Sequence, residues 1–337
     1  MSWLLSSTRV WPAVDRRWTV LALGVGLVAA SVVVGLGLGA VNLSPSQVWR
    51  GLLGETDSSA HQIVWNLRLP RVLLAAMVGA NLALAGGILQ GITRNPLTDP
   101  HLLGFSAGAG LAAVAGLLLM PSFALEQRSL LAVAGALVAG LIIYLASWRG
   151  GVAAYRFTLT GVAVAAFLTA FTSAMLVTSS LTVPAVMAWL LGGLYGRGWP
   201  HVDMLWPYWL GGSAAALLLA RQVNVMSLDE EVAIGLGVRI VWLRLLLTAL
   251  VALLAGSAVS VAGLIGFVGL IIPHMARFLV GADYRYVLPT AGLLGAALLV
   301  LADTVARTLL APEELPVGIL TAALGAPYFI YLLRRRL

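Results

Sequence analysis

Long stretches of this chain carry no charge, and its polar residues gather between them. Charge-free runs cover 18–40, 72–93, 129–147, 157–196, 245–273 and 315–333. Two shorter runs, 204–220 and 286–302, end in side chains that can snorkel to a polar interface. A helix needs about 20 apolar residues to cross a hydrocarbon core. The pattern therefore predicts an all-α integral membrane protein with ten spanning segments, near 18–40, 71–92, 101–120, 129–148, 157–178, 202–220, 242–262, 264–280, 287–306 and 316–333. The run 157–196 is too long for one helix, and Pro184 is expected to start a short, half-buried helix at its far end. The first run exceeds the about 7–15 apolar residues of a signal peptide, and no small-residue cleavage site follows closely, so it reads as retained. Residues 1–337 read as a single membrane domain, with a polar segment at 1–17 and a polar insertion at 221–241.

Composition agrees. The chain is 61% hydrophobic and 10% charged, with a mean hydropathy of +0.98, which excludes an ordinary soluble protein. Its 37 glycines include small-xxx-small spacings at Gly35/Gly39, Gly87/Gly91 and Gly104/Gly108, the kind that lets membrane helices approach closely. With no cysteine, disulfides, thiol catalysis and thiolate metal sites are excluded. The net charge of +7 comes from arginine alone, since there is no lysine. These arginines lie scattered at segment ends rather than on one surface, which fits membrane topology and not nucleic-acid binding. With the N-terminus placed in the cytoplasm, 14 arginines fall inside and 6 outside, and an even number of spans returns the C-terminus to the cytoplasm. The six outer ones, Arg50, Arg68, Arg71, Arg128, Arg197 and Arg307, run against the bias and call for a reason.

Few ionisable residues lie inside the spans, where ion-coupled carriers keep theirs. Asp303 is the main one, with Arg307 one turn beyond it; this is either a structural ion pair or a proton relay. Asn81, mid-span, suits an interhelical hydrogen bond or a pore-lining role. His61, His101, His201 and His274 show no ligand spacing, and no Ser/His/Asp arrangement is readable, so an intramembrane enzyme is not expected. A phosphate-binding GxxxxGK[ST] loop is impossible without lysine, so any ATPase must be a separate chain. In the insertion, Ser227 can cap a helix headed by Asp229, Glu230 and Glu231 and closed by Gly235 or Gly237, with apolar surface from Val232, Ile234 and Leu236. It reads either as a docking helix for a partner groove or as an ordinary interfacial loop.

Seven stretches, RLPR, GANLALAGGILQG, RNPLTDPHLLG, LDEEVAIGLGV, GLIGFVGLIIPHMARFLVG, LPTAGLLGAALLVLADTVAR and ELPVGILTAALGAPYFIYLL, occur in the order found in one family. Across essentially the whole chain after its first segment, this sequence resembles the permease subunits of bacterial ABC importers for iron–siderophores, haem and vitamin B12. WLLGGLYGRGW and the ELPVGILTAALGAP ending look most like ferric-siderophore permeases of the iron-dicitrate type.

The resemblance implies ten helices, a second permease subunit that is identical or paralogous, two cytoplasmic ATPases and a periplasmic binding protein. ATP and magnesium would sit on the ATPases, with no cofactor on this chain. It implies that Arg68, Arg71 and Arg307 grip acidic residues of the binding protein, as guanidinium forks suit carboxylates. It implies an inner constriction at Asn95, Pro96 and Leu97, and a second at Ala154 and Tyr155, where the family's small hydroxyl residues are missing. The stretch Leu228, Asp229, Glu230, Glu231, Val232, Ala233, Gly235, Leu236 and Gly237 would be the coupling helix in the ATPase groove. The expected activity is ATP-driven import of a ferric chelate across the bacterial inner membrane by alternating access. Haem or vitamin B12 import, and a proton-coupled carrier dependent on Asp303, are the alternatives.

Overall fold

The structure, a computed structural model, describes residues 13–53, 59–147, 154–179, 190–228, 230–235 and 237–336. The expected helix at Pro184 lies outside the described residues, as do Asp229 and Leu236. Among the described residues there is no strand, and ten helices have thirteen or more residues. They are α1 (Ala13–Gly37), α3 (Leu69–Thr93), α4 (Phe105–Leu119), α5 (Leu125–Ala146), α6 (Ala154–Val177), α7 (Trp199–Leu218), α10 (Ile240–Ala262), α11 (Val268–Val280), α12 (Tyr284–Ala306) and α13 (Val317–Arg336). Three short helices complete the numbering: α2 (Pro45–Leu53) between α1 and α3, and α8 (Ala220–Met226) and α9 (Glu230–Gly235) between α7 and α10. Each of the ten predicted spans coincides with one of the long helices to within about a turn.

The centre of the bundle is α3. Pro70, in its first turn, has no N–H to give the helical turn before it, where the Trp65 carbonyl accepts from Trp199 Nε1 at 3.0 Å, and the helix ends where Arg94 adopts a left-handed conformation (φ 51°) before Pro96. A π-helical turn, Gln62–Arg68, leads directly into it. Glycine lets α12 and α11 press on α3: a Cβ at Gly79 would lie 2.1 Å from the Gly295 carbonyl, and one at Gly86 would lie 2.0 Å from the Gly269 carbonyl. In a bilayer, association rests on such close packing, because lipid is as apolar as leucine. Asn81 is fully buried and donates through Nδ2 to Ser257 Oγ of α10 at 3.2 Å, the interhelical bond rather than the pore-lining role.

Among the described residues, six helices are long and apolar enough to cross a membrane by length and composition, but α11 has only 13 residues. It starts beside Gly86, about 10 Å from the inner end of α3 at 1.5 Å per residue. An irregular link, 263–267, brings the chain to that depth, with Gly263 and Phe267 at φ 68° and 70°. From the other side, the 94–104 loop folds back to meet it: a Cβ at Gly269 would lie 2.9 Å from Pro100 Cδ and 3.1 Å from Asp99 Oδ2. Irregular backbone at membrane depth is tolerated where protein surrounds it, and Asp99 and Pro100 are both buried.

Candidate functional site

Two polar clusters sit at opposite ends of α3. The first is at the end that the arginine count assigns to the outside. The last carbonyls of a helix lack intrahelical donors, and that end is partially negative. At the C-terminus of α1, two arginines from other elements answer both needs. Arg68 donates from Nη1 to the carbonyls of Leu36 (2.7 Å) and Gly37 (2.9 Å), and from Nη2 to that of Val41. Arg307, just past α12, donates from Nη2 to the carbonyl of Gly35. Arg68 and Arg307 are only 6% and 5% exposed, so neither guanidinium is presented to the outer surface.

Arg71 faces the other way. Its Nε lies 2.9 Å from Asp303 Oδ2 and its Nη2 2.9 Å from Oδ1, a bidentate fork, while Nη1 reaches Glu314 Oε2 at 2.7 Å. This corrects the expected Asp303–Arg307 ion pair. A planar guanidinium arriving side-on from α3 takes both carboxylate oxygens, and Arg307 turns away to the carbonyl that needs a donor. Arg71 and Glu314 also line a cavity of about 540 Å³, together with Tyr195, Arg197, Glu313 and Pro316. Arg197 places Nη1 3.2 Å from His201 Nε2, and Tyr195 is exposed.

The inner cluster surrounds the turn after α3. Asn95 Oδ1 accepts from the Leu97 N–H at 3.0 Å, an Asx-turn that holds Pro96 and Leu97 half-buried. Thr98 closes the turn, its Oγ1 donating to the Asn95 carbonyl (2.9 Å) and lying 2.9 Å from Thr93 Oγ1. Asp99 accepts from the His101 N–H at 2.7 Å and lies beside Gly269 in the first turn of α11, where the helix dipole favours a carboxylate. Behind the turn, Gln90 donates to the carbonyls of Thr98 (3.3 Å), Gly269 (3.2 Å) and Leu270 (3.2 Å). The Gly269 carbonyl needs it, because the residue four places on is Pro273, which has no N–H.

The second expected constriction is not drawn to this turn by any hydrogen bond or ring contact among the described residues. Ala154 starts α6, and the exposed Tyr155 ring lies 5.9 Å from the Arg156 guanidinium carbon.

The 221–241 insertion is helical in two pieces rather than one. Ser227 does not cap α9; its Oγ donates back to the Asn224 carbonyl (2.7 Å) and closes α8. Helix α9 then runs from Glu230 with Glu231 exposed, Ala233 buried, and Leu228, Val232 and Ile234 exposed. Gly237, at φ 75°, ends it with an N–H to the Ile234 carbonyl at 2.8 Å. A short helix thus stands at the surface with an acidic head and apolar side chains outward.

Some of these groups were not singled out from sequence: Gln90, Asp99 and Glu314 emerge only when distant segments meet. Gln90 carried one readable signal, as a long amide inside a charge-free run, which must find partners in protein.

A helical bundle with a re-entrant loop, a half-length helix and polar clusters at both ends defines a multi-pass membrane permease. Residues 27–335 match the FecCD transport family, and the chain belongs to it. It is 41% identical over 315 residues to the Fe(3+)-citrate import system permease protein YfmE of Bacillus subtilis, covering 94% of each chain. It is 46% identical over 279 residues to the cobalamin import system permease protein BtuC of Halobacterium salinarum, covering 82% of this chain and 75% of that one. Among solved structures it is similar to an inward-facing metal-chelate type ABC transporter, with a TM-score of 0.83, 33% identity, and coverage of 94% of this chain and 99% of the other.

Proposed function

We propose that this chain is the membrane subunit of an ATP-driven importer that carries a ferric chelate inward by alternating access. The observation that carries the reading is full-length similarity, in sequence and fold, to permeases of metal-chelate and Fe(3+)-citrate systems. The bacterial inner membrane is its place, with both termini cytoplasmic. A second permease subunit completes the pathway. Of the two ATPase subunits, one docks on the 228–237 segment of this chain, where exposed apolar side chains and acidic residues suit a groove, and the other on the second permease subunit. The outer cavity receives the chelate from a binding protein. Of the three arginines, Arg71 is the docking residue because it lines that cavity; Arg68 and Arg307 act behind it by fixing the end of α1. The turn at Asn95, Pro96 and Leu97 closes the inner mouth, with the start of α6 beside it.

A second reading, cobalamin import by the same architecture, is favoured by the 46% identical relative. Both are tested by purifying the chain with the ATPase and binding protein encoded beside it and measuring uptake into proteoliposomes. ATP-dependent uptake of radiolabelled iron as a chelate is expected. Cobalamin uptake instead would select the second reading. Uptake that follows a proton gradient without ATP, and fails in Asp303→Asn, would overturn both.

A further inference from the structure

The reading above leaves a gap between the surface helix that meets an ATPase and the turn that closes the inner mouth. The structure bridges it through a chain of side-chain hydrogen bonds. Asn224, on α8, reaches the start of α12 and makes two bonds of opposite sense there. Its Nδ2 donates to Asp283 Oδ1 at 2.8 Å, and its Oδ1 accepts from the Tyr284 N–H at 2.8 Å. The Tyr284 ring is buried, and its hydroxyl accepts from Arg277 Nη1 of α11 at 3.2 Å. Arg277 Nη2 donates to Gln90 Oε1 of α3. Gln90, in turn, holds the Thr98 carbonyl of the 94–98 turn. Each link joins a different element to the next.

Packing runs alongside the hydrogen bonds. A Cβ at Gly91 would lie 2.5 Å from Val223 Cγ1 and 3.3 Å from the Tyr284 hydroxyl. Helix α8 therefore sits directly on α3, one residue beyond Gln90, with no slack for one to slide past the other.

We propose that Asn224–Tyr284–Arg277–Gln90–Thr98 is a relay by which displacement of the 220–235 segment moves the inner turn, and that Asn224 is the positioning residue where the motion enters. The relay rests on the proposed function, since it needs an ATPase to displace the segment. Arg277 is the charged member, and it is hydrogen-bonded to a neutral partner on each side. A pull at Asn224 therefore meets paired groups at every step, each costly to leave unpaired when buried. A connected network of this kind predicts non-additive substitutions at its two ends, whereas independent structural contacts predict additive ones.

The absence of cysteine makes a clean test possible. Leu97→Cys in the complete transporter, reconstituted in nanodiscs, is labelled with a fluorescent maleimide, with and without magnesium-ATP and vanadate. The expected result is a nucleotide-dependent change in labelling rate that is lost in Asn224→Ala and equally lost in Gln90→Leu. The double variant should be no worse than either, and basal ATP hydrolysis should be retained in all three. If Asn224→Ala fails to assemble, Asn224→Asp keeps the acceptor for Tyr284 N–H but loses the donor to Asp283, and the same loss is expected. Retention of the nucleotide response in either single variant, or effects that multiply in the double, would overturn the relay. So would a complex that imports chelate with no nucleotide response at position 97. A complex that neither hydrolyses ATP nor imports chelate would instead overturn the proposed function.

Discussion

The two ends of α3 solve the problem of buried polar groups differently. At the outer end, full charges are neutralised at short range: Arg71 by Asp303 and Glu314, and the carbonyls at the end of α1 by Arg68 and Arg307. Every contact there ties neighbouring elements into a fixed rim. At the inner end the charged groups Asp283 and Arg277 meet neutral amides and hydroxyls on other elements, strung from the surface segment to the turn. A single bond between a charged and a neutral group is weaker than a bidentate ion pair and exchanges more readily. The outer cluster is built to hold, and the inner one to be shifted.

The contrast can be broken most forcefully at Asp303. Asp303→Ala leaves the Arg71 guanidinium buried without its main partner, and a loss of about 3–5 kcal/mol is expected. It would appear as a lower unfolding temperature of the purified permease in lipid nanodiscs. Replacing both members, Arg71→Met with Asp303→Leu, should restore most of that loss, because neither charge of the buried pair remains and Glu314, which loses Arg71, is partly exposed to water. Next comes Arg68→Ala, expected to cost about 1–3 kcal/mol by orphaning the carbonyls of Leu36, Gly37 and Val41. Hydrogen exchange should rise at 35–41 and stay unchanged at 94–98; equal rises at both sites would show that the two ends are not separate. Glu314→Gln is smaller still, at or below about 1 kcal/mol, because Glu314 is partly exposed and Asp303 still holds Arg71. Its readout is affinity for the binding protein, which should change while the unfolding temperature does not.

The smallest effect concerns pH at the entry to the relay. Arg285, followed by Asn224 and the Arg285 backbone N–H, holds the Asp283 carboxyl well below the ordinary carboxylate range. A depressed folded-state pKa means that its contribution is fully present above the unfolded value, near about 4, and is lost only as pH falls through the folded one. The nucleotide response at position 97 should therefore be flat from neutral pH down to about 5. A decline within that window, absent in Asp283→Asn, would show that the carboxylate titrates higher than its partners imply.

Much of the fold was legible because the bilayer sets a length for every span. The charge-free run 72–93 becomes Leu69–Thr93, and the Asn-Pro-Leu-Thr-Asp-Pro turn ends it as its prolines require. The start of α4 came four residues later than expected, because 101–104 form a turn that closes with Gly104 at φ 88°. The partners of polar groups were not legible. Sequence proximity offered Asp303 only Arg307, four residues away, whereas its partner Arg71 is 232 residues distant. Likewise, Asn224 and Asp283 are 59 apart, and Gln90 and Arg277 are 187 apart. Such contacts depend on which helices pack side by side. Hydropathy finds the helices but says little about their neighbours.

Helix α11 carries a consequence for how the chain enters the membrane. Thirteen residues make about 20 Å of helix, well short of the about 30 Å hydrocarbon core. Its first turn leaves the Gly269 carbonyl facing Pro273, which has no N–H, and Gln90 of α3 supplies it with a donor. Such a segment has no stable independent place in lipid, so it must be delivered into a cradle already formed by α3 and closed by α12 as synthesis proceeds. A nascent chain halted before Tyr284 should hold 264–280 outside the bilayer, and release through Ala306 should draw it in. The order of the genetic text thus becomes an order of assembly, with α11 seated only after α12 has followed it.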